Sequence, residues 1–101
     1  MYVPLTGGTK SGQIEELFHQ AYDKEPFVRI RGEKSFPATK EVYGSNFCDI
    51  GLEVDPRTNR AIVMAATDNL VKGASGAVVQ NLNLMFGYDE TAGLMTPGLM
   101  P

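Results

Sequence analysis

The sequence predicts an α+β fold, with a mixed or largely antiparallel sheet and helices packed on one side of it. Residues 47–55 alternate apolar and polar side chains and residues 61–67 are almost entirely apolar, so both stretches predict strands. The stretch 68–87 predicts a helix within it, because its apolar side chains recur at helical spacing and no charged residue follows Lys72 there. Strands followed by a helix in this order are typical of an α+β domain.

The N-terminal part of the chain predicts an edge strand and an amphipathic helix. Pro4 removes a backbone donor from residues 2–5, which favours the edge or the end of a strand. Ser11 is a suitable N-cap for a helix that ends near Asp23. The apolar face of this helix consists of Ile14, Leu17, Phe18 and Ala21.

The middle of the chain predicts a hairpin. Residues 27–30 predict a short strand, and the irregular connection that follows is expected to contain a short helix near residues 39–42. In the strand at residues 47–55, Cys48 and Ile50 begin an apolar face, whereas Asp49 lies on the other face. Turn residues at 55–59 join this strand antiparallel to the next one. Because residues 61–66 are uniformly apolar, we expect the second strand to be covered on both faces.

The helix after the hairpin is predicted over residues 73–86 and ends at Gly87. Apolar side chains surround most of its circumference, so we expect burial on most sides, between the sheet and another layer. The tail, residues 88–101, predicts irregular structure in which Leu94 docks.

Composition and charge restrict the class of protein. The 101 residues are 43% hydrophobic and 21% charged, which predicts one globular domain over residues 1–101. A net charge of −3 predicts neither a nucleic-acid partner nor an anionic membrane surface. The single cysteine favours a reducing compartment, and no 18-residue apolar run or signal peptide is present, so we expect a cytoplasmic protein without a membrane partner.

The one cysteine and the one histidine predict neither a catalytic pair nor a metal site. Cys48 lies on the apolar face of a strand, where cysteine usually fills the core. His19 lies on a helix flank, typical of a surface residue, and nothing in the sequence pairs it with Cys48. One histidine and one cysteine far apart do not supply the ligands of a metal site.

The segment 68–76 is the candidate binding site. A helix N-terminus exposes unpaired N–H groups with a partial positive charge, Gly73 permits close approach, and Lys72 adds a full charge. A plain capping turn before a buried helix needs similar residues, so both interpretations stay open.

Three sequence strings occur along the chain in this order: YGSNFCDIGLEVD, TDNLVKGASGAVVQNLNLMFG and DETAGL. Together they resemble the C-terminal part of the N-acetyl-gamma-glutamyl-phosphate reductase family. This family belongs to the semialdehyde dehydrogenase superfamily. The resemblance covers nearly the whole chain and implies the fold of part of the superfamily's C-terminal dimerisation domain. Family members are considerably longer, so we expect the chain to be a C-terminal fragment of a two-domain enzyme.

The resemblance implies NADPH-dependent reduction of a small-molecule substrate, N-acetyl-glutamyl phosphate, to its semialdehyde in arginine biosynthesis. It assigns cofactor contacts to Asn69, Lys72 and Gly73. The family's catalytic cysteine and histidine lie in motifs that this chain lacks, so it implies no catalytic residue here and no activity for the chain alone. The implied partners are an N-terminal dinucleotide-binding domain of the same enzyme and further copies in a homo-oligomer. The alternative is a non-catalytic oligomerisation or partner-binding module, and NADPH against NADH stays open.

Overall fold

The computed structural model describes residues 1–32 and 34–99 and has an α+β fold built on a four-stranded sheet. The strand order in the sheet is β1-β4-β3-β2. The predicted fold class is therefore confirmed. The elements in chain order are β1 (Tyr2–Pro4), α1 (Ser11–Tyr22), β2 (Val28–Ile30), α2 (Thr39–Val42), β3 (Cys48–Asp55), β4 (Arg60–Thr67), a π-helical turn (Val71–Ser75) and α3 (Gly76–Met85).

Strands β3 and β4 form the predicted hairpin. The carboxylate of Asp55 accepts the backbone N–H of Arg57 at 3.0 Å, and Asn59 adopts a positive φ of 52°, which asparagine tolerates better than most residues. Strand β1 pairs antiparallel with β4, with Tyr2 opposite Ile62, and lies at the edge of the sheet. The edge position predicted from Pro4 is confirmed.

The described residues form two compact units, and the first comprises Met1–Pro37 and Asp49–Ala65. Within it α1 packs beside β2, and Ile14 and Phe27 are buried. The backbone N–H of Lys10 binds Gln13 Oε1 at 2.9 Å, so Lys10 is the N-cap and Ser11, predicted as the cap, is the first helical residue. Leu17 of the predicted apolar face is exposed, because α1 contributes a narrower buried stripe than its sequence offers.

Asp49 is a correction to the predicted pattern of β3. The sequence places it on the face opposite the core, yet its side chain is completely buried. Arg29 Nε donates to Asp49 Oδ1 at 2.5 Å and Arg31 Nη1 donates to Oδ2 at 3.4 Å. Two guanidinium groups compensate the buried carboxylate, which is the condition for burying a charge.

The expected cover on both faces of β4 is wrong for this chain. Ala61 and Ala66 are buried, but Ala65 is exposed and the residues between Ala61 and Ala65 are only half-buried. An apolar run indicates that a strand tolerates burial, whereas the layer that buries it must come from elsewhere.

The second unit comprises Ala38–Cys48 and Ala66–Pro101. It contains α2 at the predicted position, the π-helical turn and α3. Leu94 is buried, so its predicted docking is confirmed, and the backbone N–H of Leu99 binds the carbonyl of Tyr43 at 2.7 Å. The last two residues of the predicted irregular tail lie outside the described residues.

Helix α3 is mostly exposed, so the predicted burial on most sides is wrong for this chain. Only Gly76 and Asn83 of α3 are buried, and Met85 is 80% exposed. The helix also begins three residues later than predicted, because the preceding five residues form the π-helical turn. One side of the helical segment presents an apolar surface, here called the α3 face, which consists of Val78, Leu82, Met85 and Phe86. Among the described residues, no helix has the length and hydropathy needed to cross a membrane.

Candidate functional site

The candidate turn begins where β4 ends, and Asp68 organises it. Its Oδ1 accepts the backbone N–H groups of Leu70 at 2.7 Å and Val71 at 3.2 Å. Its Oδ2 accepts the N–H of Gly44 at 2.7 Å. The hydrogen bond from Gly44 and then that from Leu70 stabilise the ionised form, which lowers the pKa of Asp68 below its usual value.

This arrangement corrects the expectation of unpaired N–H groups at the helix start. Two of them, on Leu70 and Val71, bind the carboxylate of Asp68, so the segment is an internally capped turn rather than an empty anion site. The capping role of Asp68 was not predicted from the sequence. An aspartate directly before a helical segment was the available signal, since aspartate is among the preferred capping residues.

The turn that follows is wider than an α-helix. The N–H of Gly73 binds the carbonyl of Asp68 at 3.0 Å, and the N–H of Ser75 binds the carbonyl of Leu70 at 2.9 Å, five residues back in each case. Ser75 Oγ also donates to the Leu70 carbonyl, at 2.7 Å. Short π-helical turns are rare in proteins and are frequently found at functional sites.

The three candidate residues lie on this turn in different surroundings. Asn69 and Gly73 are exposed and adjacent, since a Cβ on Gly73 would lie 3.3 Å from Asn69 Oδ1. Lys72 is half-buried, and its Nζ donates to Gln80 Oε1 at 2.7 Å. The structure thus brings Asn69 and Gly73 together at the surface and ties Lys72 to α3.

An open pocket of about 280 Å³ borders the turn. Asn69 and the exposed ring of Tyr43 lie on its lining, so a planar group there would meet an aromatic surface and an amide able to donate and to accept hydrogen bonds. The lining consists of Thr39, Tyr43, Thr67, Asp68, Asn69 and Leu70.

A polar network behind the turn was not predicted. Asn46 is buried and its Nδ2 donates to Gln80 Oε1 at 3.1 Å. Gln80 Nε2 in turn donates to Glu90 Oε2 at 2.5 Å. Asn46 and Gln80 are 34 positions apart, and no spacing rule links residues at that distance.

His19 and Cys48 do not enter the candidate site. His19 is a half-exposed helix residue, as predicted, and its Nδ1 lies 2.8 Å from Asp23 Oδ1, which raises the pKa of His19. Cys48 lies at the start of β3 and is half-buried, less than the predicted core position requires. Across residues 1–32 and 34–99, no group of three or more histidine, cysteine, aspartate or glutamate side chains is arranged to hold a metal ion.

Comparison with known proteins gives one matching family model and a set of similar proteins. A family model described as semialdehyde dehydrogenase, dimerisation domain, matches residues 1–69. The N-acetyl-gamma-glutamyl-phosphate reductase of Symbiobacterium thermophilum is 52% identical over 97 residues, which are 96% of this chain and 28% of that protein. Proteins of the same name from Staphylococcus saprophyticus and Geobacter metallireducens are 48% and 50% identical over 101 residues, 29% of each. The chain therefore spans less than a third of the length of these relatives.

Proposed function

The chain belongs to the semialdehyde dehydrogenase dimerisation-domain family, and from that premise we propose that it is the C-terminal part of an NADPH-dependent N-acetyl-gamma-glutamyl-phosphate reductase. The observation that carries the proposal is the identity of about half of all residues over at least 96% of the chain to proteins of that name. The reaction proposed for the whole enzyme is reduction of N-acetyl-glutamyl phosphate to the semialdehyde in arginine biosynthesis.

The candidate turn fits the nicotinamide end of such a cofactor. Asn69 offers a side-chain amide on the lining of the pocket, which suits a carboxamide, and the ring of Tyr43 borders the same space. NADPH, when bound, would supply the hydride. Asn69 would orient the nicotinamide, Lys72 would contribute positive charge, and Gly73 would leave room for close approach of the ligand to the backbone.

The α3 face supports a dinucleotide-binding domain of the same enzyme as the partner. Fully burying each of its four side chains contributes roughly 1.5–3 kcal/mol, or about 6–12 kcal/mol together. Nearly the whole chain matches only 28–29% of the length of these relatives, so they are more than three times as long as this chain. We place this domain over α3, next to the turn that would touch the cofactor.

The family description as a dimerisation domain supports a homo-oligomeric parent enzyme. It also supports the second candidate function, a non-catalytic oligomerisation or partner-binding module, for which an exposed apolar surface is the expected feature. We also propose a cytoplasmic location. The single cysteine and the proposed biosynthetic role both fit a reducing compartment.

A chimeric reductase tests the proposal. The 97 matched residues of the Symbiobacterium thermophilum protein are replaced by the corresponding residues of this chain, and NADPH oxidation by the acyl phosphate is measured. We expect activity within about tenfold of the parent, since a factor of ten corresponds to only about 1.4 kcal/mol. A folded, oligomeric chimera without turnover would instead favour the non-catalytic module.

A further inference from the structure

We propose that Gln80 and Asn46 are positioning residues that hold the ammonium group of Lys72 in place on the turn, an inference that rests on the proposed function. Neither residue lies on the lining of the pocket beside Asn69. Both would act on the cofactor only through Lys72.

Gln80 is the centre of the network. Its Oε1 accepts two hydrogen bonds, from Lys72 Nζ at 2.7 Å and from Asn46 Nδ2 at 3.1 Å. Its Nε2 donates to the carboxylate of Glu90 at 2.5 Å. The amide dipole therefore points its oxygen at a cation and its N–H at an anion, and each of these charge-assisted bonds strengthens the other.

Glu90, at the other end of this hydrogen-bond network, is held against α3. Asn83 is buried, and its Nδ2 donates to the backbone carbonyls of Glu90 at 3.1 Å and Ala92 at 3.0 Å. The Glu90 segment is thus fixed to the helix that carries Gln80. A long lysine side chain normally samples many rotamers, and a rigid acceptor reduces that freedom.

Asn46 fixes the orientation of the Gln80 amide from behind. Asn46 is 1% exposed, and its Oδ1 is buried without a hydrogen-bond partner in the part of the chain that the structure describes. That oxygen lies so close to Gly76 that a Cβ there would be 2.2 Å away. A buried amide oxygen left unsatisfied is costly, so the position of the Asn46 amide needs an explanation. We explain it by the hydrogen bond that Asn46 Nδ2 donates to Gln80 Oε1, the same atom that accepts from Lys72 Nζ.

The test compares Gln80→Leu, Lys72→Met and the double variant in the chimeric reductase. Asn81→Leu is the matched control, because it makes an amide-to-leucine change at the neighbouring, exposed position of the same helix. We expect Gln80→Leu to raise the KM for NADPH about two- to tenfold, the loss equivalent to one hydrogen bond. In the Lys72→Met background the same change should have no further effect, whereas a merely structural role would lower stability and kcat in both backgrounds.

NMR of the lysine side chains in the 101-residue chain measures the mobility of Lys72 and tests the proposal without the cofactor. We expect the Cε methylene of Lys72 to be restrained in the wild type and as mobile as a surface lysine in Gln80→Leu. If Lys72→Met raises the KM but Gln80→Leu does not, and Lys72 stays restrained, the positioning role is wrong while the proposed function stands. If Lys72→Met leaves the KM unchanged in an active chimera, Lys72 is not a cofactor contact and the inference falls with that assignment.

Discussion

The carboxylate of Asp68 accepts the backbone N–H of Gly44 at 2.7 Å, across 24 positions of sequence. The same side chain caps Leu70 and Val71, so three backbone donors converge on one carboxylate. Tyr43 and Asn69 line the pocket from the two segments that Asp68 connects. The charge on Asp68 therefore maintains the relation between the pocket's aromatic side chain and its amide.

Asp68→Asn should weaken the acid dependence of stability. The folded chain lowers the pKa of Asp68 from its ordinary value of 3.8, chiefly through the Gly44 N–H. The stabilisation is therefore complete above pH 3.8 and is lost as the pH falls through the lower folded value. Thermal melts from pH 7 to pH 2 should fall more steeply below pH 3.8 for the wild type than for the variant.

The control for this comparison is Asp89→Asn, which removes an exposed carboxylate and should keep the acid slope of the wild type. The pKa of Asp55 is also lowered, by the Arg57 N–H, so the Asp68 variant should retain a shallower slope rather than none. Parallel curves for the wild type and Asp68→Asn would contradict the capping role.

Gly76→Ala should destabilise the second unit by about 1–3 kcal/mol, the usual cost of overpacking. The added Cβ would lie 2.2 Å from Asn46 Oδ1 and 2.7 Å from the carbonyl of Val71. At Gly73 the nearest such contact is 3.3 Å, so Gly73→Ala is a matched control with a smaller effect. Urea unfolding measures both, and equal free energies of unfolding would show that the contact between Asn46 and Gly76 has no energetic weight.

Ala61→Asp should unfold the first unit, whereas Ala65→Asp on the same strand should be tolerated. Ala61 is 3% exposed and Ala65 is exposed, so only the first substitution buries an unpaired charge. That costs several kcal/mol against a typical total stability of about 5–15 kcal/mol. Circular dichroism at 25 °C distinguishes the two variants, and a folded Ala61→Asp chain would contradict the burial of β4 at that position.

Met85→Glu should reduce self-association of the isolated chain. The α3 face exposes four large apolar side chains, and a contiguous exposed apolar surface favours association. Leu17→Glu changes an exposed leucine on α1 and is the control. Sedimentation velocity over a concentration series gives the result, and a wild-type chain that stays monomeric throughout would contradict this expectation.

Local patterns predicted the elements of this fold well, because the information for each element lies within it. Pro4 placed β1 at an edge, and the turn residues after Asp55 placed the hairpin. The position of α2 was also predicted, from a connection that was otherwise unreadable. Each of these features depends on residues that are neighbours in sequence.

The burial of individual side chains and the hydrogen bonds that hold the candidate site could not be predicted in the same way, since they depend on residues far apart in sequence. Asp49 on β3 can be buried because it forms ion pairs with Arg29, which lies on β2, and with Arg31, the residue directly after β2. The pairing of Asn46 with Gln80 is equally invisible to spacing rules. The apolar circumference of α3 indicated a need for cover, and no sequence pattern says whether that cover belongs to the same chain. Asn69, Lys72 and Gly73 were chosen by family resemblance, and their contacts with a cofactor stay a prediction.

Hydrogen exchange of residues 68–76, with and without NADP+, tests most directly whether this turn is a cofactor-contacting element that works only within the longer enzyme. In the chimeric reductase, saturating NADP+ should slow exchange in this segment. In the 101-residue chain alone, NADP+ at about 1 mM should leave the exchange nearly unchanged, because one or two hydrogen bonds do not offset the cost of immobilising a flexible ligand. Unchanged exchange in a cofactor-bound chimera, or saturable protection of the isolated chain at micromolar NADP+, would contradict the account.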